Sequence, residues 1–227
     1  MFPYDPTFIL LIPAVIFALY AQAKVQGTFN KFSNVASTRG FSGADLARKI
    51  LDHESLEQVK VEQTTGSLTD HYDPRSKTLR LSQPVYQSTS VAALGVVAHE
   101  IGHAIQDAKA YTPLKFRNSI VPVASFGSNL AFPLFFVGIF AGLPFLMDLG
   151  ILLFVLAVVF TVITLPVEIN ASQRGLAWLS NSTITGDDSY PQAKDALKWA
   201  AYTYVVAALG SLATLLYYLA IFLGSRD

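Results

Sequence analysis

Four stretches of this chain are apolar over the length a helix needs to cross a bilayer, and nothing else in the sequence limits the fold as strongly. A hydrocarbon core about 30 Å thick calls for roughly 20 such residues. The stretches lie at residues 7–23 (within an N-terminal segment 1–23), 120–146, 149–167 and 202–223. The expected fold class is therefore an α-helical multi-span membrane protein with four transmembrane helices. Composition agrees, since 52% of residues are hydrophobic and only 14% charged, too apolar a balance for an ordinary soluble domain. Ala21-Gln22-Ala23 has the look of a signal-peptidase site, but the residues before it include Asp5 and no Lys or Arg. The expectation is a retained anchor.

Each crossing changes sides, so residues 24–119 share a face with residues 168–201. That face holds fifteen of the sixteen Lys and Arg residues, and only Arg226 lies opposite. Lys24, Lys31, Lys115, Arg117, Arg174 and Lys198 stand close to span ends, where positive charge sets orientation. The face is expected to be cytoplasmic. Net charge is zero, which leaves no cationic excess to neutralise a phosphate backbone and argues against nucleic acid as a partner. With no cysteine in the chain, disulfides and thiolate metal sites are excluded, so any metal is bound through His and carboxylate.

Residues 24–119 form the one substantial polar region and read as a small α+β unit. Ser42 caps an amphipathic helix that begins at Ala44. Val59-Lys60-Val61-Glu62 alternates like a strand. Residues 68–72 and 78–82 flank the turn signal Asp73-Pro74-Arg75-Ser76 and predict a β-hairpin. Residues 90–109 then predict a helix, apolar through its first half and buried.

In that helix stands His99-Glu100-Ile101-Gly102-His103. Histidines at i and i+4 face one side of a helix, so two imidazole nitrogens can reach a single Zn²⁺ while the intervening Glu100 reaches a water on the ion. Zinc lowers the pKa of such a water from 15.7 to about 7, and a carboxylate can complete its deprotonation. With four His and five Glu in the chain, the frequencies give roughly two chances in a thousand for an accidental match. Two His and one Glu on an otherwise apolar helix would also be costly to desolvate without a shared cation.

A catalytic zinc takes three protein ligands and leaves a fourth position open. The extended motif with glycine and histidine after His103 is absent, because Gln106 and Lys109 occupy those positions. Asp107 is one turn beyond His103, but its short side chain is directed away from the metal side. Glu168 fits better. It closes the apolar run 151–167, where a charge needs a partner, and it falls on the same face of the membrane as the histidines. The competing reading is a carboxylate solvated at the interface. Residues 168–201 are expected to form the helical segment that carries this ligand.

Several motifs resemble the bacterial membrane neutral zinc metallopeptidases of the YugP type, a multi-span, HExxH, gluzincin-like family. They include Gly66-Ser67-Leu68-Thr69-Asp70-His71-Tyr72-Asp73-Pro74-Arg75, Leu79-Arg80-Leu81-Ser82, Ala98 through Gln106, and Leu165-Pro166-Val167-Glu168-Ile169-Asn170-Ala171-Ser172. The resemblance implies a zincin-like catalytic region with one Zn²⁺ and an edge strand near residues 68–72 that pairs with extended substrate. It also makes His71, Tyr72 and Arg174 candidates for stabilising the oxyanion, the alternative for His71 being an exposed imidazole in a hydrogen-bonded turn. More distantly, the arrangement is similar to membrane proteases whose third ligand is a glutamate followed four residues on by an aspartate that braces a ligand histidine. Here that position is Ser172, which leaves the bracing residue open between Ser172 and Asn170.

The expected activity is a zinc-dependent endopeptidase acting on membrane-associated polypeptides, with Glu100 as general base. An ion transporter would need polar residues across the spans, and these carry almost none. A purely structural metal site would close its fourth position with another ligand and would have no use for Glu100.

Overall fold

The computed structural model describes residues 9, 11–37, 40–181 and 189–224. Among the described residues, seven helices and three strands run in the order α1 (Ile12–Ser33), α2 (Gly43–His53), β1 (Lys60–Thr64), β2 (His71–Asp73), β3 (Thr78–Ser82), α3 (Gln83–Tyr86), α4 (Val91–Ala108), α5 (Thr112–Ala141), α6 (Pro144–Asn181) and α7 (Ser189–Gly224). The chain divides into two compact units, one built from residues 1–22, 115–166 and 203–227, the other from 23–114 and 167–202.

The first unit is helical. Among the described residues, three helices are long and apolar enough to cross a membrane, Thr112–Ala141, Pro144–Ser180 and Ser189–Phe222. The fourth expected span, residues 7–23, lies partly outside the described residues, and α1 covers its remainder from Ile12. One boundary differs from expectation. The break between the second and third spans falls at Gly142 and Leu143, not at Met147 and Asp148. Gly142 has φ +64°, the left-handed conformation glycine adopts without strain at a helix C-terminus. The Leu143 N–H then closes the helix end on the Gly138 carbonyl at 2.9 Å, and Pro144 opens the next helix. Asp148 attracted the expected boundary because charge is rare in such runs, but backbone geometry decides where the chain turns. Helix α6 also continues without interruption through Glu168 to Asn181, so the expected segment 168–201 is the end of α6 together with the beginning of α7.

The second unit carries the mixed region. Ser42 caps α2 through a capping box, its hydroxyl accepting from the Asp45 N–H and the Asp45 carboxylate accepting from the Ser42 N–H. A hairpin forms, β2 pairing antiparallel with β3, but its first strand is His71–Asp73 rather than the expected 68–72, with Leu68 in the left-handed region at φ +59°. The Ser76 hydroxyl, the Arg75 N–H and Arg80 all bond the Asp73 carboxylate and hold it below the usual carboxylate range. Strand β1 adds to the far side of β3 in parallel, Val61 opposite Leu79, giving the order β1-β3-β2. The central strand is the buried one, with Leu79 and Leu81 fully enclosed. Against it pack Leu46, Ile50 and Leu51 of α2 and Leu94, Val97 and Ile101 of α4. Burying each such side chain stabilises the fold by about 1.5–3 kcal/mol. Strand β2 is left at the sheet edge.

Candidate metal centre

Helix α4 starts at Ser90, whose hydroxyl accepts from the Ala93 N–H. Its first half is buried, and its packing against the end of α6 is unusually close. A Cβ on Gly102 would lie 2.2 Å from the Ala171 carbonyl oxygen, and one on Gly175 would lie 2.5 Å from the Ala98 carbonyl oxygen. Two glycines on facing helices thus let the backbones touch, and Glu168 and Ser172 of α6 come level with the histidines of α4.

His99, His103 and Glu168 each offer one ligand atom, and these atoms all lie within 4.8 Å of one another. Glu168 Oε2 is 3.2 Å from His99 Nε2 and 3.5 Å from His103 Nε2. The carboxylate is buried, 3% exposed, so the alternative of a solvated interfacial acid does not describe it. Each imidazole is held from behind. His99 Nδ1 lies 3.0 Å from Ser172 Oγ, and His103 Nδ1 lies 3.0 Å from Gln106 Oε1. Nδ1 is thereby occupied on both rings and Nε2 is turned toward Glu168, the arrangement in which ring tautomer and orientation are fixed by groups behind the ligands. Ser172 rather than Asn170 takes the position behind His99, while Asn170 bonds Gln106 and Arg174.

Glu100 stands beside this cluster. The backbone N–H of Tyr72, on edge strand β2, donates to Glu100 Oε2 at 3.1 Å. Burial pushes the Glu100 carboxyl up, while the neighbouring imidazoles of His99 and His103 pull it down. For His103, burial opposes the charge, but the hydrogen bond to Glu168 and the charges of Glu100 and Glu168 raise it.

The three residues expected at the oxyanion each have a hydrogen-bond partner outside the cluster. The Tyr72 phenol donates to Asp107 Oδ2 at 2.8 Å. Burial and that bond raise its pKa, so it remains protonated and a donor. Asp107 also pairs with Lys77 and takes no part in the cluster, as its position on the helix implied. Arg174 Nε donates to Asn170 Oδ1 at 2.7 Å, and its guanidinium lies over the Tyr111 ring. His71 is exposed and its Nδ1 is 2.7 Å from the Thr69 carbonyl. The sequence reading missed Gln106. Its only sequence signal is an amide within a buried stretch of helix three residues after a candidate ligand.

The described residues thus combine helices long and apolar enough for a bilayer with a cluster of two histidines and a carboxylate that could hold a metal ion. The family model described as "Putative neutral zinc metallopeptidase" matches residues 7–223, and the chain belongs to that family. It is 44% identical to "Putative membrane protease YugP" of Bacillus subtilis (strain 168) over 218 residues, 96% of this chain and 97% of that relative. No solved structure matches it.

Proposed function

We propose that this protein is a zinc-dependent endopeptidase that hydrolyses peptide bonds of membrane-associated polypeptides, with one ion held by His99, His103 and Glu168 and with Glu100 as general base. The observation that carries the proposal is the convergence of three donors from two helices within 4.8 Å. The fit to zinc rests on the donor chemistry, since both imidazoles are tied at Nδ1 and turn Nε2 toward one buried carboxylate. When bound, zinc supplies the Lewis acidity that makes an attacking water acidic near pH 7 and polarises the scissile carbonyl. Glu100 accepts the proton and delivers it to the departing amine, its carboxylate steadied by the Tyr72 N–H. Strand β2, at the sheet edge beside Glu100, offers the backbone along which extended substrate aligns.

Glu168 directly follows the apolar run 151–167, which favours substrates presented close to the bilayer. The test is proteoliposomes holding the native chain together with a polypeptide anchored in the same bilayer, compared with the soluble part of that polypeptide. Cleavage of the anchored form alone is expected, and equal cleavage of both would refute the membrane-associated class. In the same assay, Glu168→Ala loses zinc and activity together, whereas Asp107→Ala retains stoichiometric zinc. The opposite pattern would transfer the third-ligand role to Asp107.

The catalytic unit faces the cytoplasm in this reading and the chain crosses four times, α1 supplying the first crossing. The bias of Lys and Arg toward residues 24–119 and 168–201 supports it. Because the native chain has no cysteine, Gln58→Cys, at an exposed position, gives a single label site. Labelling by a membrane-impermeant maleimide is expected only after cell lysis, and labelling of intact spheroplasts would reverse the orientation.

A further inference from the structure

The geometry points to Gln106 as a positioning residue that fixes the tautomer of His103, leaving the Nε2 lone pair free for a metal. Gln106 is fully buried, at 0% exposure, and both ends of its amide are engaged. Its Nε2 lies 2.8 Å from the Val167 carbonyl oxygen and 3.1 Å from Asn170 Oδ1. Its Oε1 lies 3.0 Å from His103 Nδ1.

The direction of these bonds follows from which groups can only donate or only accept. A backbone carbonyl only accepts, so the atom facing Val167 is the NH₂ end of the amide. A second anchor gives the same answer. The Arg174 guanidinium only donates, and its Nε lies 2.7 Å from Asn170 Oδ1, which makes that atom the amide oxygen and the Gln106 group facing it again the NH₂. The carbonyl end of Gln106 is then the end that meets His103, and an oxygen there calls for a proton on Nδ1. In the neutral ring that a metal requires, the single N–H then sits on Nδ1 and the lone pair on Nε2, the atom that faces Glu168 at 3.5 Å. Arg174 through Asn170, and Val167 independently, thus hold a chain of hydrogen bonds whose polarity ends at the metal side of His103. The same amide ties α4 to α6, so ring orientation and helix spacing are set together.

The inference rests on His103 being a zinc ligand, and the experiment separates the two claims. Zinc affinity of the full-length protein in detergent is measured by chelator competition, and Co²⁺ absorption is recorded for the native chain, Gln106→Met, Gln106→Glu and Glu168→Ala. Met keeps the volume but offers Nδ1 only a thioether sulfur, a weak acceptor. Glu keeps the accepting oxygen but cannot donate to Val167 when ionised. Gln106→Met is expected to weaken zinc about 10–100-fold, the range for groups behind metal ligands, with an altered Co²⁺ spectrum. Gln106→Glu is expected to lose less than the about 10-fold at which that range begins while its melting temperature falls, because affinity follows the acceptor and stability follows the donor. Native affinity in Gln106→Met overturns the inference, as does equal weakening in both variants, which would assign the amide to packing alone. If the Met variant does not fold, Gln106→Glu decides, retention supporting the inference and a ten-fold loss overturning it. Zinc binding by Glu168→Ala equal to native would instead overturn the metal site itself.

Discussion

Replacing Glu100 with Gln leaves zinc bound and lowers peptide-bond cleavage by about 10²–10⁴-fold, the usual contribution of a positioned general base. The substitution is nearly isosteric, and its carbonyl oxygen can still accept the Tyr72 N–H that now meets Glu100 Oε2 at 3.1 Å. What it removes is the capacity to take up a proton. Glu100 is not among the converging ligand atoms, which come from His99, His103 and Glu168, so metal content and catalysis separate in this variant. Zinc analysis alongside the proteoliposome assay checks both halves. Cleavage at the native rate would remove Glu100 from the mechanism, and loss of zinc would make it a ligand.

The second large effect is expected from a single methyl group. Helix propensity alone says that Gly102→Ala gains about 1 kcal/mol. The packing says the reverse, because the new Cβ would stand 2.2 Å from the Ala171 carbonyl oxygen and 2.8 Å from its carbon. A flexible side chain could turn aside, but a helix backbone cannot. Overpacking typically costs about 1–3 kcal/mol, and relief here requires α4 and α6 to separate across the metal cluster. Gly102→Ala and Gly175→Ala are therefore expected to lower the melting temperature and weaken zinc binding together. Gly27→Ala, in α1, where a Cβ meets nothing within 4 Å, is the control and loses neither. Native zinc affinity in Gly102→Ala would show that the helix crossing does not position the ligands.

What the sequence made legible follows from how local each signal is. The Ser42 cap, the turn near Pro74 and the spacing of His99 and His103 are statements about neighbours a few residues apart, and the structure has the cap, the paired histidines and a turn shifted by one residue to 74–77, Asp73 ending β2. Glu168 was reachable because a charge at the end of an apolar run is rare and topology placed it on the right face. The parallel pairing of β1 with β3 has no such signal, since alternation marks a strand without naming its partner. The turn at Gly142 was hidden for a related reason, as hydropathy averages over the one residue whose φ ends the helix. Gln106 was missed because an amide has no periodicity to betray it. Tyr72 was singled out, but its contact to Asp107, 35 residues on, depends on long-range packing that composition does not encode, whereas the bond of Arg174 to Asn170 is a local contact four residues apart along α6.

The separation along the chain of the groups at the metal centre bears on how the protein is made. His99 and Glu168 are 69 residues apart, and His99 and Ser172 are 73 apart, with all of α5 and most of α6 lying between them. During synthesis the histidines therefore emerge long before the carboxylate that completes their site. Closing so long a loop costs chain entropy before any contact rewards it. A metal that joined its two ends would favour the closed chain over the open one, so with the proposed zinc site the folded yield is expected to rise with zinc supply.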